Sequence, residues 1–347
     1  MKIKINFKKI SLILFMVIFF YGCNEDKKSN ISKYEKEKYE KEKFLFGTYL
    51  KITVYEKDKN LAKNAIDLAY NEIERIDKKF NSKVEGSLIF KINNMQNSEK
   101  EYKEIDLDEE GQLLFEKIKN GYELSSGEYD ITMGPLMKLW GFGDDISKNH
   151  QIPSFYDIEK TKEKIDFTKI EFSNGKLIMK YPVEEIDTGS FLKGYAVSKA
   201  KEKMVHAGIT SAFITSTSSI AAIGRKPDNT PWRIGIQDPN EPSEIIGVIE
   251  MDNNAMGASG DYQTFIEIDD KKYHHILQKS TGFPVNDKKL VLVLFNDAFL
   301  ADIYSTCFFL MPIDKVMDFV YTIDCLDILI MKSNGEILKS KNIEILD

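Results

Sequence analysis

The sequence predicts an α+β fold, in which antiparallel hairpins and helices occupy separate stretches of the chain. In two stretches, 170–180 and 328–339, apolar and polar residues alternate on both sides of an Asn-Gly pair, and each stretch is a strong hairpin signal. Other stretches carry apolar residues at the spacing of three and four that is typical of helices. Because hairpins and helices do not alternate as strand-helix-strand units, a parallel sheet is not expected.

The composition is that of an ordinary globular protein. Of 347 residues, 42% are hydrophobic and 30% are charged, so the chain is neither disordered nor embedded in a membrane. The net charge is −7 and no basic face is concentrated anywhere, so nucleic acid is not expected as a partner.

The first 23 residues have the layout of a secretory signal. A lysine-rich start precedes an apolar run from Ile10 to Phe20, which ends at Gly22 and Cys23. A small residue directly before cysteine resembles the cleavage box of bacterial lipoproteins. This pattern predicts a signal peptide over 1–22 and a lipid on Cys23, which would anchor the protein to the membrane on the extracytoplasmic (periplasmic) side of the cell envelope. A plain signal peptide and an uncleaved anchor are the alternatives.

The residues after Cys23 predict a tether followed by one folded domain. Residues 24–43 are nearly all charged or polar and cannot bury a core, so the domain is expected to span 44–347. Cys307 and Cys325 lie in apolar segments, which predicts buried thiols and no disulfide framework.

Local patterns predict the elements of the domain. In chain order they are a strand at 44–56, a helix at 60–80, a loop and short helix at 81–94, a helix at 108–127, a hairpin at 170–180, helices at 190–208 and 297–311, and a hairpin at 328–339. The helix at 108–127 has an acidic first turn, which suits a helix N-terminus. The helix at 297–311 is apolar nearly all round and is therefore expected to be buried.

The most informative stretch is 186–204, where Asp187 and a Thr-Gly turn lead into a helix with Lys193 near its start. Backbone N–H groups at a helix N-terminus bind phosphate, and a lysine one turn in adds positive charge. The spacing is neither that of a P-loop nor that of a dinucleotide fingerprint. The alternative is an ordinary turn at Gly189 with Lys193 in solvent.

Asp302 and Thr306 stand four residues apart in a helix, and hence on one face of it. A carboxylate and a hydroxyl there offer two hard oxygens to Mg²⁺ or Ca²⁺. A mid-helix threonine more commonly bonds to the carbonyl four residues back. An acid in an apolar helix, however, needs a partner.

Two of the four histidines, His274 and His275, are adjacent in a predicted strand from Tyr273 to Leu277. Alternation along a strand sends their rings to opposite faces, so one can lie in a core and the other in a cleft. The alternative is a strand-end pair with one solvated ring.

Two further stretches leave alternatives open. Residues 125–143 hold Tyr129, Asp130 and Trp140, which suit either an aromatic pocket for a planar ligand or a packed helix with Trp140 in the core. Residues 213–239 contain a hydroxyl-rich loop between strands. No base pairs with one of its serines in the sequence, so hydrogen bonds to phosphates or to a ring are the simpler expectation.

Seven stretches, taken in order from about Phe44 to about Val320, resemble the ApbE family, the FAD:protein FMN transferases, which are often bacterial lipoproteins. These stretches are "FGTYLKITVYE", "SSGEYDITMGPLMKLWGFG", "IDTGSFLKGYAVSKA", "WRIGIQDP", "ASGDYQTF", "YHHILQKSTGFP" and "ADIYSTCFF". The resemblance implies a two-lobed α+β domain with mixed or antiparallel sheets flanked by helices and a flavin cleft between the lobes.

The resemblance also implies an activity and a set of site residues. The family moves FMN from FAD, in a Mg²⁺-dependent reaction, onto a threonine or serine hydroxyl of a target flavoprotein, such as a subunit of a membrane redox complex, and releases AMP. By this resemblance the metal ligands are Asp302, Thr306 and the backbone carbonyl of Ser190. His275 is the catalytic base, worth ~10²–10⁴-fold in rate, and His274 is structural. The positions that match cofactor-binding positions are Phe46, Glu128, Tyr129, Asp130, Asp187, Lys193 and Ile276.

The sequence departs from the family pattern in places, and rival functions remain. Ser219 stands where the family often has an acid, Lys83 where an aromatic is common, and Gln278 and Lys279 replace an Asp-Pro pair. Phe46 replaces the family's methionine. The rivals are Mg²⁺-dependent hydrolysis of FAD to FMN and AMP, and a lipoprotein that binds FAD without turnover. A solute-binding lipoprotein would need two strand-helix-strand lobes, which the hairpins disfavour.

Overall fold

A computed structural model describes residues 36–96, 101–142 and 151–346. The helices are α1 Lys59–Phe80, α2 Leu88–Asn94, α3 Glu109–Leu124, α4 Gly134–Trp140, α5 Phe155–Lys162, α6 Leu192–His206, α7 Ala298–Leu310 and α8 Ile313–Val320. The strands are β1 Glu37–Leu45, β2 Thr48–Glu56, β3 Tyr102–Asp106, β4 Ile170–Ser173, β5 Lys176–Lys180, β6 Ala212–Thr215, β7 Ser219–Ile223, β8 Trp232–Gln237, β9 Ile245–Met251, β10 Ala255–Gly260, β11 Phe265–Ile268, β12 Lys271–His274, β13 Lys288–Phe295, β14 Asp327–Lys332 and β15 Ile337–Lys339.

The main sheet is antiparallel throughout its described strands, in the order β1-β2-β6-β7-β10-β13-β14-β15. Alternate side chains of β13 show how its two faces are used. Val291 and Val293 join the core beneath α1, α6 and α7, whereas Leu290 and Leu292 pack on the other face with the β8–β9 hairpin. The predicted α+β class is confirmed.

A smaller sheet and a separate cluster complete the fold. Strands β3, β5 and β4 form a three-stranded antiparallel sheet. Helices α4 and α5 and the β11–β12 hairpin enclose a third apolar cluster around Trp140, whose indole N–H donates to the carbonyl of Gly282 at 2.9 Å. Trp140 is therefore a core residue, as the packed-helix alternative predicted, and not part of a pocket for a planar ligand.

The predicted hairpins and helices are confirmed. The β4–β5 hairpin turns at Asn174 and Gly175, with φ of 53° and 72°, the left-handed pair that a two-residue Asn-Gly turn requires. The β14–β15 hairpin also forms, and α1, α2, α3, α6 and α7 lie where helices were predicted. In α7 nearly every side chain is buried.

The N-terminal boundary of the domain differs from the prediction. Residues 44–56 form two strands, because the chain reverses at Phe46 and Gly47, which have φ of 52° and 72°. Strand β1 begins at Glu37, so residues 37–43 belong to the sheet and not to the tether. Its charged residues are tolerated because, among the described strands, β1 lies at the edge of the sheet and pairs with β2.

Two further predictions were wrong in part. The strand predicted over Tyr273–Leu277 ends at His274. The N–H of His275 still donates to the carbonyl of Thr264 in the β11–β12 register, but the N–H of Ile276 bonds to a ring nitrogen of His274 and leaves the ladder. Cys325 is exposed, in a turn with φ of 63° between α8 and β14, although the segment around it contains many apolar residues. Cys307 is buried in α7 as predicted.

A charged cluster joins α1, α3 and α6. The Glu110 carboxylate accepts hydrogen bonds from Arg75, Lys79 and the Tyr195 hydroxyl. Burial by itself raises the pKa of Glu110, but these hydrogen bonds outweigh it and lower the pKa to about 2. The cluster therefore fixes the spacing of three helices under the main sheet.

Within the described ranges, no helix is both long and apolar enough to cross a membrane. The predicted signal peptide, Cys23 and residues 24–35 of the tether lie outside the described residues.

Candidate active site

A cavity of about 880 Å³ lies between the main core and the third cluster. Its size is that of a small-molecule or cofactor site. Every site residue predicted within the domain lines it, namely Phe46, Glu128, Tyr129, Asp130, Asp187, Ser190, Lys193, His275, Ile276, Asp302 and Thr306. The tertiary structure thus brings residues from five separate stretches of sequence to one place.

Of the two adjacent histidines, His275 lines the cavity and His274 lies in the protein core. His274 is buried, and both of its ring nitrogens bond to backbone, Nε2 to the carbonyl of Val285 and Nδ1 to the N–H of Ile276. His275 lines the cavity, and its Nδ1 lies 3.1 Å from the carbonyl oxygen of Thr264. A carbonyl can only accept, so Nδ1 carries the proton and Nε2 keeps a free lone pair. The contacts of His274 match the structural role expected for it.

Burial lowers the pKa of His275 to about 4, and the charge of Lys193 acts in the same direction. The imidazole is therefore neutral at pH 7, with a free acceptor nitrogen. This is the protonation state that a general base requires.

Asp302 is the buried acid of α7, and its side chain is held against the start of α6. Its Oδ2 accepts from the N–H of Gly194 at 2.9 Å. Burial raises the pKa of Asp302, whereas the charge of Lys193, the Gly194 N–H and the Ser219 hydroxyl lower it. The N–H of Gly194, in the first turn of α6, thus donates to a carboxylate of the protein. It is therefore not available to a phosphate, unlike the helix N-terminus that the sequence predicted as a phosphate site.

Two glycines allow α7 to lie this close to its neighbours. A Cβ at Gly194 would lie 2.4 Å from Cβ of Asp302, and a Cβ at Gly257 would lie 2.2 Å from the carbonyl oxygen of Ala301. No side chain fits at either distance. The absence of a side chain at Gly194 therefore allows Asp302 to lie against the start of α6.

The oxygens around Asp302 form a hydroxyl cluster. The Thr306 hydroxyl lies 3.5 Å from the carbonyl of Asp302, so the back-bonding alternative is realised only at the limit of hydrogen-bond length. Ser259 Oγ lies 2.9 Å from Ser305 Oγ and 3.3 Å from Thr306 Oγ1. Ser259, which was not predicted as a site residue, lines the cavity, whereas Ser305 is buried behind it and donates to the carbonyl of Asp302.

The buried hydroxyl of Ser219 has no hydrogen-bond partner among the described residues, yet it is close enough to lower the pKa of Asp302. Across residues 36–96, 101–142 and 151–346, no group of three or more His, Cys, Asp or Glu could hold a metal ion. A cation beside Asp302 would therefore depend on hydroxyl and carbonyl oxygens, which hard cations accept. The donor set of Asp302, Thr306 and nearby oxygens fits such an ion.

Asp187 and Ser190 lie at the entrance of α6. Asp187 Oδ2 accepts from the N–H of Gly189 at 3.0 Å, and Ser190 Oγ lies 3.2 Å from the hydroxyl of the buried Tyr129. Burial raises the pKa of Asp187, while the charges of Lys83 and Lys193 lower it. Both lysines also line the cavity, so its wall carries two cations near Asp187.

Asp130 has a structural use that the sequence did not reveal. Its Oδ1 accepts from the N–H and the hydroxyl of Thr132, and its Oδ2 from the N–H of Phe167 and from Lys279 at 2.7 Å. With four donors the carboxylate has no lone pair left for a ligand. Lys279, one of the departures from the family pattern, thus pairs with a buried acid, while Ser280 N–H donates to Glu128.

Phe46 and Ile276 supply apolar wall. Phe46 reaches the cavity from the turn of the β1–β2 hairpin, and Ile276 is buried next to His275. Neither has a polar side chain, so their contribution is shape and exclusion of water.

Fold and cavity together define the class: an α+β protein with a ligand cavity lined by a neutral imidazole, the buried carboxylate of Asp302 and three lysines, Lys83, Lys138 and Lys193. Comparison with known proteins then gives the family. The ApbE family model matches residues 46–330. The chain belongs to the ApbE family.

Relatives and solved structures agree with this membership. The chain is 24% identical over 324 residues to the FAD:protein FMN transferase of Escherichia coli K12, covering 91% of this chain and 90% of the relative. It is 28% identical over 228 residues to that of Haemophilus influenzae, covering 63% and 66%. The crystal structure of the ApbE protein of Thermotoga maritima matches with a TM-score of 0.79 at 30% identity, covering 88% of this chain and 97% of that one.

Proposed function

We propose that this protein transfers FMN from FAD to a threonine or serine hydroxyl of a target flavoprotein and releases AMP. The observation that carries the proposal is the single cavity lined by His275, Asp302, Thr306, Asp187 and Lys193. The relatives in Escherichia coli and Haemophilus influenzae bear the name FAD:protein FMN transferase, which supports this activity over others of the same fold.

The chemistry is a substitution at phosphorus. The acceptor hydroxyl oxygen forms a bond to the phosphorus on the riboflavin side of FAD, and the bond from that phosphorus to the bridging oxygen breaks. AMP leaves with the bridging oxygen, and the hydroxyl proton passes to Nε2 of His275, the free lone pair of the ring. Lys193 lies near the reacting groups, where its charge opposes the negative charge of the diphosphate.

A Mg²⁺ ion would be held by Asp302, Thr306 and the backbone carbonyl of Ser190. Support comes from the buried Asp302 carboxylate and from the Ser219 hydroxyl beside it, which has no hydrogen-bond partner among the described residues. When bound, the ion would neutralise charge on the diphosphate and on the departing AMP.

Hydrolysis of FAD to FMN and AMP would use the same residues with water as the acceptor. Retention of Thr306 favours transfer modestly. Incubation of the protein with FAD, Mg²⁺ and a target flavoprotein distinguishes the two reactions. Mass spectrometry should find an FMN-sized addition on a threonine or serine of the target. Release of AMP without such an addition would favour hydrolysis, and binding of FAD with no AMP would favour a storage role.

Matched variants test the two central assignments. His275→Ala should abolish transfer while FAD binding remains, and His206→Ala, an exposed histidine of α6, should be as active as wild type. Asp302→Ala should abolish Mg²⁺-dependent AMP release, with Asp318→Ala in the exposed face of α8 as its control. Full activity of His275→Ala or Asp302→Ala would overturn its assignment.

We further propose that the protein is a lipoprotein of the periplasmic side of the membrane, anchored at Cys23, whose target is a subunit of a membrane redox complex. Thirteen residues separate Cys23 from the start of β1 at Glu37. Fully extended, they span at most about 45 Å, so the cavity would stay near membrane-bound targets. Cys23→Ser should move the protein from the membrane fraction to the soluble fraction; an unchanged distribution would contradict the anchor.

A further inference from the structure

The residues on both sides of Asp187 form hydrogen bonds with one other segment of the chain. Residues 81–94, which run from the end of α1 through α2, contact the residue before Asp187 and the residue after it. Asn93 Nδ2 donates to the carbonyl of Ile186 at 2.9 Å, and the N–H of Ile186 donates back to Asn93 Oδ1 at 2.9 Å. Ser82 N–H donates to Thr188 Oγ1 at 3.2 Å, and the two hydroxyls lie 3.1 Å apart.

The carboxamide of Asn93 bonds to the N–H and the carbonyl of Ile186, as the backbone of a neighbouring strand would. It offers one donor and one acceptor, and it satisfies both backbone groups of Ile186, a fully buried residue. Buried backbone groups left without a partner are costly, so these two bonds determine where the backbone of Ile186 lies. The side chain of Asn93 reaches this position from α2 and also lines the cavity.

Asp187 itself is fixed between these contacts. Its N–H donates to the carbonyl of Ile131 at 2.7 Å, so three consecutive residues of this turn are held by bonds from other segments. Among the described residues, the Asp187 carboxylate accepts hydrogen bonds from the N–H groups of its own turn, at Gly189 and Thr188. Where that carboxylate points in the cavity is therefore set by how the backbone on each side of it is held.

We infer that Asn93 and Ser82 are positioning residues that hold the Asp187 carboxylate in place for the bound dinucleotide. The inference rests on the proposed function in taking FAD as the ligand. Neither residue needs to touch FAD for this role, since each acts through the backbone beside Asp187. Loss of either should weaken FAD binding only while the carboxylate of Asp187 is present.

The experiment is a double-mutant cycle read by FAD affinity. FAD binding is measured by titration calorimetry for wild type, Asn93→Ala, Asp187→Ala and the double variant, with Asn71→Ala on the exposed face of α1 as the control. Asn93→Ala should raise the dissociation constant about tenfold, the effect expected when two hydrogen bonds of ordinary strength are lost. In the Asp187→Ala background the same substitution should change it less than about twofold. Asn71→Ala should have no effect in either background.

Equal effects of Asn93→Ala in both backgrounds, or no effect in wild type, would overturn the inference, because a merely structural residue would act independently of Asp187. If Asn93→Ala does not fold, Ser82→Ala replaces it in the same cycle and the same outcomes decide. Failure of the proposed function is distinguishable. A wild-type protein that binds FAD but modifies no target refutes transfer and leaves the cycle interpretable, whereas a wild type that binds no FAD overturns both.

Discussion

One added methyl group at Gly194 tests the packing that seats the candidate metal ligand. In Gly194→Ala, the new Cβ would lie 2.4 Å from Cβ of Asp302 and 2.6 Å from the carbonyl oxygen of Ala298. Carbon atoms in contact normally lie ~3.5–4.0 Å apart, so α6 and α7 would have to separate by about an ångström. The carboxylate of Asp302 would move with α7, away from the N–H of Gly194.

Two costs add in this variant. Overpacking in a close-packed core costs ~1–3 kcal/mol, and loss of the hydrogen bond from Gly194 N–H to a charged carboxylate costs a further ~1.5–3 kcal/mol. We therefore expect a total destabilisation of about 2.5–6 kcal/mol. At roughly 2–4 °C per kcal/mol, this lowers Tm by about 10 °C.

The assay is thermal unfolding together with Mg²⁺-dependent release of AMP from FAD. Gly235→Ala in β8 is the matched control. Its Cβ would meet only the side chain of Ile245, at 3.1 Å, and that side chain is 56% exposed and free to move. The control should unfold within about 0.5 kcal/mol of wild type. A Gly194→Ala protein with unchanged Tm and full AMP release would refute the close seating of Asp302 on α6.

Three further predictions follow from other contacts. Because burial lowers the pKa of His275 to about 4, AMP release should stay flat as the pH falls from about 8 to about 5.5, whereas a base with the ordinary pKa of ~6.5 would already lose most of its activity there. Lys279→Met leaves the buried carboxylate of Asp130 without its cation and should lower the free energy of unfolding, measured by chemical denaturation, by ~3–5 kcal/mol. The control Lys160→Met, on the exposed face of α5, should leave the free energy of unfolding unchanged. Equal losses in the two variants would contradict the ion pair. Glu110→Gln should cost roughly 2 kcal/mol at pH 7. The lowered pKa of Glu110 stabilises the fold above its unfolded value of 4.5, so the gap between variant and wild type should close as the pH falls to about 2; a gap independent of pH would contradict the role of the charge.

Much of the secondary structure could be predicted because it depends on short-range patterns. Asn-Gly at 174–175 requires left-handed backbone that few other pairs adopt, so the β4–β5 hairpin follows from two residues. The apolar spacing of α1 and the all-round apolar surface of α7 likewise predicted helices and the burial of α7. Strand β1 was missed because its charged residues suit an exposed edge strand as well as a tether.

Predictions that depended on contacts between distant residues were less complete. Asp130 looked like a ligand-binding acid, yet its lone pairs are filled by Thr132, Phe167 and Lys279, and no spacing in the sequence indicates this. Cys325 was predicted to be buried because it stands in a largely apolar segment, whereas it lies exposed in a turn. Lys279 looked like a departure from the family pattern and proves to be the partner of a buried acid.

By itself the sequence determined the α+β class, the two Asn-Gly hairpins, five of the helices and part of the cavity lining, because periodicity, turn chemistry and family resemblance are properties of the chain. Only the tertiary structure decided which nitrogen of His275 is free and that Asp302 packs against Gly194. It alone also decided that Asn93 and Ser82 form hydrogen bonds to the residues on each side of Asp187. The physical reason is that tautomer, pKa and side-chain position depend on burial and on partners many residues away, which folding alone brings within hydrogen-bond distance.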